Sequence, residues 1–184
     1  MKQILKDAEK PALPANLSYH LTCVFLLLCC KKEPKILAIL KSDNEGYPWR
    51  NQVALPGGHI EKDDLSPVDA AYRELEEELN IKRKHVEFIG SLGHFQTINN
   101  KDIEVFIGLW DKKESIRYDF AEIAKVLEIP LKTIVETHSA NHYHGWTPDI
   151  GDLLYPFDDL VIWGVTAKIL HHFIEILYPF MALS

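Results

Sequence analysis

The 184-residue sequence has little of several things whose scarcity narrows its class. Its most apolar run, Leu21 to Cys30, is ten residues long, about half of what a membrane-spanning helix needs. That run reads as a buried strand. It ends in Cys29-Cys30 and is followed by Lys31-Lys32, which offers no small-residue cleavage site of the kind a secretory leader carries, so a cytoplasmic placement is expected. Only three cysteines are present, an odd number gathered in the apolar run, so Cys23, Cys29 and Cys30 read as reduced core thiols rather than a disulfide framework. Positive charge is in deficit, with Lys and Arg numbering 20 against 27 Asp and Glu, a net charge of −7. This disfavours nonspecific binding of nucleic acid or anionic membrane. It leaves open an anionic small molecule, because a bound metal reverses the sign of the local field. Repeats and low-complexity tracts are also missing, and 47% hydrophobic content is enough for a sizeable core.

What is present is concentrated between Leu55 and Ile81, LPGGHIEKDDLSPVDAAYRELEEELNI. Ser66, Pro67 and Asp69 read as an N-cap, a first-turn proline and an acid near the positive helix end, so the spacing predicts a helix from Pro67 to Leu79. At about 100° per residue, with Glu74 at zero, Glu78 falls at about +40° and Glu77 at about −60°. Three carboxylates therefore share one side, with the small Ala70 between them leaving room for a ligand. Val68, Ala71, Tyr72, Leu75 and Leu79 form the adjoining core stripe. Crowded like charges weaken a helix by about 0.2–0.5 kcal/mol per i, i+4 pair. Arg73 can reach Glu77, but one guanidinium does not neutralise three acids, whereas a hard divalent cation with oxygen ligands does. Mg²⁺ or Mn²⁺ is the expected cofactor. The competing reading is a solvated acidic face, as most charge runs are. The preceding Pro56-Gly57-Gly58 turn favours function, since glycines there allow close backbone approach and positive φ.

These residues resemble the signature of the Nudix hydrolases: a glycine, five residues, Glu, seven residues, then Arg-Glu-aliphatic-any-Glu-Glu-any-Gly-aliphatic. Gly58, Arg73, Glu74, Leu75, Glu77, Glu78 and Ile81 match. Asp64 stands where the first Glu belongs, eight residues rather than seven separate it from Arg73, and Asn80 replaces the second glycine. Asn tolerates the left-handed conformation that ends helices. The longer gap, the segment from Asn51 to Gly58 and the Ile162-Trp163-Gly164-Val165-Thr166-Ala167-Lys168-Ile169-Leu170 stretch are similar to the coenzyme A pyrophosphatase branch. Trp49 and Arg50 occupy the place where that branch carries basic and histidine positions.

A coarse pass predicts strands at residues 19–30, 35–41, 86–97, 103–110 and 126–129, and helices at 67–79, 131–137 and 163–177. Between Asp149 and Trp163, Pro148, Gly151 and Pro156 interrupt any strand. Residues 1–16 read as an N-terminal arm on a single domain spanning 1–184. The class is α/β (α+β), and the resemblance implies the Nudix fold, an α/β/α sandwich with a mixed β-sheet and a catalytic loop-helix-loop.

The implied reaction is metal-dependent hydrolysis of a diphosphate linkage in a small molecule, with Glu74, Glu77 and Glu78 as metal ligands and Arg73 orienting them. The resemblance implies that the carbonyl of Gly57 or Gly58 completes the metal shell. Glu77, Glu78 or, outside the box, Glu122 is the candidate general base, with Glu61 and Asp63 weaker. Gln52, Gly57, Tyr155 and Trp146 are candidate substrate contacts. His138, His142 and His144 suggest zinc, but their spacing fits no standard site, and a solvated or substrate-facing loop is expected. Coenzyme A or a derivative is the expected substrate. ADP-ribose, nucleotide sugars and dinucleotides are alternatives, as is a non-catalytic nucleotide-binding module. A monomer or a homodimer is compatible with the sequence.

Overall fold

A computed structural model of the chain describes residues 2–15, 18–45 and 49–181. Its central element is a mixed sheet built from β1 (His20–Cys29), β2 (Lys35–Lys41), β3 (Val53–Ala54), β4 (Gly57–His59), β5 (Val86–Gln96), β6 (Lys101–Trp110) and β7 (Ile123–Pro130). The main path runs β3-β2-β1-β6-β5, with β4 joining β1 and β7 joining β2. β1 and β6 are parallel from His20 opposite Lys101 to Leu28 opposite Leu109, and the remaining pairs are antiparallel.

β1 reads as an almost unbroken apolar run because both of its faces are covered. Cys23, Phe25, Leu27 and Cys29 point to a cluster completed by Leu75 and Leu79 of α2 (Pro67–Leu79). Leu26 and Leu28 point the other way, to a cluster completed by Ile134 of α3 (Leu131–Ala140) and by Ala167, Leu170 and Phe173 of α4 (Gly164–Met181). Helices thus cover both faces, giving the expected α/β/α layering. Full burial of each such side chain contributes about 1.5–3 kcal/mol.

The first part of the expected arm has an assigned place. Residues Lys2–Asp7 form a helix, α1, and Leu5, 1% exposed, belongs to the α4-side cluster. The chain then lies along β5, where the His94 amide donates to the Pro11 carbonyl at 2.9 Å. Gly93, at φ +111°, is needed there because a Cβ would stand 2.7 Å from that same carbonyl oxygen.

The sequence boundaries of β7 and α3 are short by three residues at one end each, since strand pairing extends to Ile123 and the helix to Ala140. The proline-interrupted segment holds a small hairpin, β8 (Tyr155–Phe157) with β9 (Leu160–Ile162). It tolerates Pro156 because a two-stranded ribbon leaves backbone amides on its outer edges unpaired.

Candidate active site

The acid-rich helix α2 begins and ends as its sequence predicts. Ser66, in extended conformation, accepts from the Asp69 amide, Pro67 occupies the first turn, and Asn80 closes the helix at φ 57°, ψ 30°. The Asn80 amide donates to Glu76 O and the Ile81 amide to Leu75 O, while Ile81 and Leu75 are fully buried beneath the cap. These anchors fix the rotation of the helix about its axis. Tyr72, Leu75 and Leu79 face the sheet, and Glu74 and Glu78 come to its edge beside β4. Ala70, expected to leave ligand space, is fully buried and packs into the α2-side core instead.

β4 is pressed against β1, Gly57 opposite Val24 and Gly58 opposite Cys23. Gly57 has φ +144°, and a Cβ there would stand 2.6 Å from the Val24 Cα. A Cβ on Gly58 would intrude on the carboxylate of Glu74. Two glycines are therefore required, one by the neighbouring strand and one by the acid. Between them they leave an oxygen-lined cradle.

Arg73 ties the turn to the helix. Its Nε and Nη2 each lie 3.1 Å from one oxygen of Asp64, Nη1 donates to Glu74 at 3.1 Å and to Glu77 at 2.9 Å, and Nη2 donates to the His59 carbonyl at 2.9 Å. The guanidinium beside Asp64 holds its carboxyl below the usual range. Asp64 thus acts as the anchor of Arg73, despite the extra residue between them. Burial pushes the Glu74 carboxyl up, and repulsion from Glu78 and Glu77 adds to this against the hydrogen bond from Arg73. Glu78 receives the Lys41 ammonium at 2.7 Å and the Gly57 amide at 3.0 Å.

These groups open onto a cavity of ≈ 810 Å³, a size at the upper end for small-molecule sites. Glu74, Glu78, Gly57, Gly58, Gln52 and Glu122, all expected from sequence, line it. Glu122 sits in the turn before β7, its carbonyl accepting from the Ser42 amide at 3.0 Å. Glu77 is turned outward, its side chain 60% exposed and paired with Arg73. Glu61 lies 3.9 Å from Arg73.

Other expectations are corrected. Tyr155 does not reach the cavity: it is fully buried, because its ring fills the core between β8 and α3, with its hydroxyl 3.0 Å from His138 Nδ1. His138 is not in a loop but is a fully buried residue of α3, while the half-exposed Trp146 lines a different cavity and His144 pairs with Glu175 at 2.9 Å. Lys41, Lys101 and Trp163, which the sequence reading did not single out as site residues, all line the main cavity. The one signal for Lys41 was a cation closing the apolar run Ile36–Leu40 of β2. Lys101, half-buried and shifted down by that burial, has no carboxylate partner among the described residues and lies 5.2 Å from the Trp49 ring centre.

A profile of the NUDIX domain matches residues 20–149. An uncharacterized Nudix hydrolase, NudL, of Photorhabdus laumondii is 32% identical over 155 residues, covering 80% of this chain and 80% of that protein. NudL of Yersinia pestis is 30% identical over 154 residues, covering 81% and 75%. Among solved structures, a C. elegans Ap4A hydrolase binary complex superposes with a TM-score of 0.57 at 13% identity, over 89% of this chain and 99% of that one. The NUDIX domain of Shewanella oneidensis NrtR complexed with ADP ribose gives 0.52 at 19% identity, over 73% and 85%. The structural likenesses establish the fold.

Proposed function

The chain belongs to the Nudix family of hydrolases, and from that premise we propose that it cleaves the diphosphate of coenzyme A or a derivative to 3′,5′-ADP and 4′-phosphopantetheine. The supporting observation is the cavity itself. Glu74 and Glu78 share its lining with an apolar wall of Trp163, Val165 and Ile169 from the α4 region. Such a wall suits the pantetheine arm, and the uncompensated ammonium of Lys101 suits a phosphate additional to the scissile pair. A 3′-phosphate distinguishes coenzyme A from ADP-ribose and from nucleotide sugars.

The residues fit a hard divalent cation. Glu74 is an acid made costly to ionise by burial and by its acidic neighbours, and the cradle at Gly58 would be filled by any Cβ. Glu74, Glu78, the Gly58 carbonyl and, after rotation away from Arg73, Glu77 would hold Mg²⁺ or Mn²⁺. When bound, such an ion neutralises phosphate charge and lowers the pKa of an attacking water. Lys41 holds Glu78 in its present rotamer, and its ammonium, which lines the same cavity, would pair with a phosphate oxygen. Glu122, facing the cavity from the sheet side, is the proposed general base.

The test is product identification after incubation with Mg²⁺ or Mn²⁺ and a panel of coenzyme A, ADP-ribose, NADH and diadenosine polyphosphates. Release of 3′,5′-ADP and 4′-phosphopantetheine at the highest kcat/KM in the panel supports the reading. Preference for another diphosphate removes the coenzyme A assignment and keeps the reaction. Cleavage of none of them transfers the chain to the non-catalytic nucleotide-binding class.

A further inference from the structure

A second constellation of metal-binding groups lies where α3, the loop after it and α4 meet, sharing no residue with the carboxylate box. Glu175 Oε1 is 2.9 Å from His138 Nε2 and 2.9 Å from His144 Nδ1, and the three ligand atoms lie within 4.8 Å of one another. We propose that His138, His144 and Glu175 form a transition-metal site of the zinc class, which clips the loop after α3 onto α4.

Each ligand is held from behind. The other ring nitrogen of His138 lies 3.0 Å from the Tyr155 hydroxyl, the outer hydrogen bond that fixes the orientation of a ligating imidazole. His144 stacks on the Tyr178 ring at 3.7 Å between centroids and 13° between planes. The Gly145 amide donates at 3.0 Å to Glu175 Oε2, leaving Oε1 directed to the two histidines. Two imidazoles and one carboxylate make a three-ligand set with an open fourth position, a donor combination that zinc accepts.

A further imidazole lies beside the cluster, its ring centre 5.0 Å from that of His138. His171, 4% exposed and one turn before Glu175 on α4, has a buried Nδ1 with no hydrogen-bond partner among the described residues. Its other nitrogen engages the Trp146 backbone, so the neutral ring keeps its lone pair on Nδ1. His171 and Glu175 both line a cavity of ≈ 300 Å³. The same loop continues to Ile150 and Gly151, which line the main cavity. A bound ion would thus stiffen one wall of the substrate site.

The full-length protein, freed of metal by dialysis against chelator, is titrated with Zn²⁺ by calorimetry and with Co²⁺ by visible absorption, both in saturating Mg²⁺ to occupy the box. One equivalent of Zn²⁺, a tetrahedral Co²⁺ spectrum and a zinc-dependent rise in Tm are expected. His144→Ala, at a half-exposed position where folding is retained by circular dichroism, lowers the affinity about tenfold or more and abolishes the Tm rise. Glu175→Gln does the same, and Glu78→Gln does not. Absence of zinc binding by the wild type, or equal binding by His144→Ala, overturns the proposal and leaves a hydrogen-bonded network only. Neither result bears on diphosphate hydrolysis.

Discussion

Arg73 reaches both oxygens of Asp64, one oxygen each of Glu74 and Glu77, and the His59 carbonyl. A lysine has no planar fork with which to do this. The consequence for Glu74 is a fixed rotamer over Gly58, and for Glu77 an outward position paired with Arg73. Glu78 faces the Lys41 ammonium and the Gly57 amide, and under the proposed function it is also a metal ligand. Glu78→Gln is expected to lower kcat on the order of 100-fold with an unchanged circular dichroism spectrum; full activity in a steady-state assay sinks the metal assignment. Lys101 belongs at this scale too. Replacing it by Met is expected to raise KM for coenzyme A about tenfold while leaving dephospho-coenzyme A, which lacks the 3′-phosphate, unaffected. An equal effect on both substrates means that Lys101 does not read that phosphate.

At the scale of elements, α2 is set by local chemistry at both ends: Ser66 and Pro67 at the start, Asn80 in the left-handed region at the finish. β7 is held by charge as well as by its ladder. Glu128, opposite Leu37 of β2, lies 3.2 Å from the Lys35 ammonium and also pairs with Lys112. Hydrogen bonds from Lys112 and then Lys35, against partial burial, hold its carboxyl below its ordinary value of 4.5. A carboxyl depressed in the folded state contributes stability that is complete above its unfolded value and is lost as pH falls through its folded one. Glu128→Gln is therefore expected to be less stable than wild type near pH 7 in urea unfolding, and the difference is expected to close as pH drops below about 4.5. A difference that persists in acid assigns the loss to packing.

At the scale of the whole molecule, one sheet carries two cores. The α2 side places the carboxylates, and the α4 side builds the wall of the cavity. α1 closes the second core through Leu5. Leu5→Ala is expected to cost about 2–5 kcal/mol in denaturant unfolding while leaving kcat unchanged at a temperature where the protein stays folded. A fall in kcat without a loss of stability places α1 in the working of the site rather than in its support.

The sequence determined what depends on near neighbours in the chain. α2 and its caps, the glycine turn, the three glutamates and the apolar strands follow from spacings of four residues or so, where backbone geometry alone fixes which side chains meet. Glu122 was legible through family pattern. Tertiary structure decided the rest. Lys41, Lys101 and Trp163 reach one cavity from β2, β6 and the residue before α4, positions that only strand order and register bring together. Tyr155 and Ala70 went to the core rather than the site, because a ring or methyl that fits a closed gap gains more from burial than from contact with a solvated ligand. His138 and Glu175, 37 positions apart, meet because α3 and α4 cover the same face of the sheet, and nothing in their separate surroundings along the chain announces that meeting.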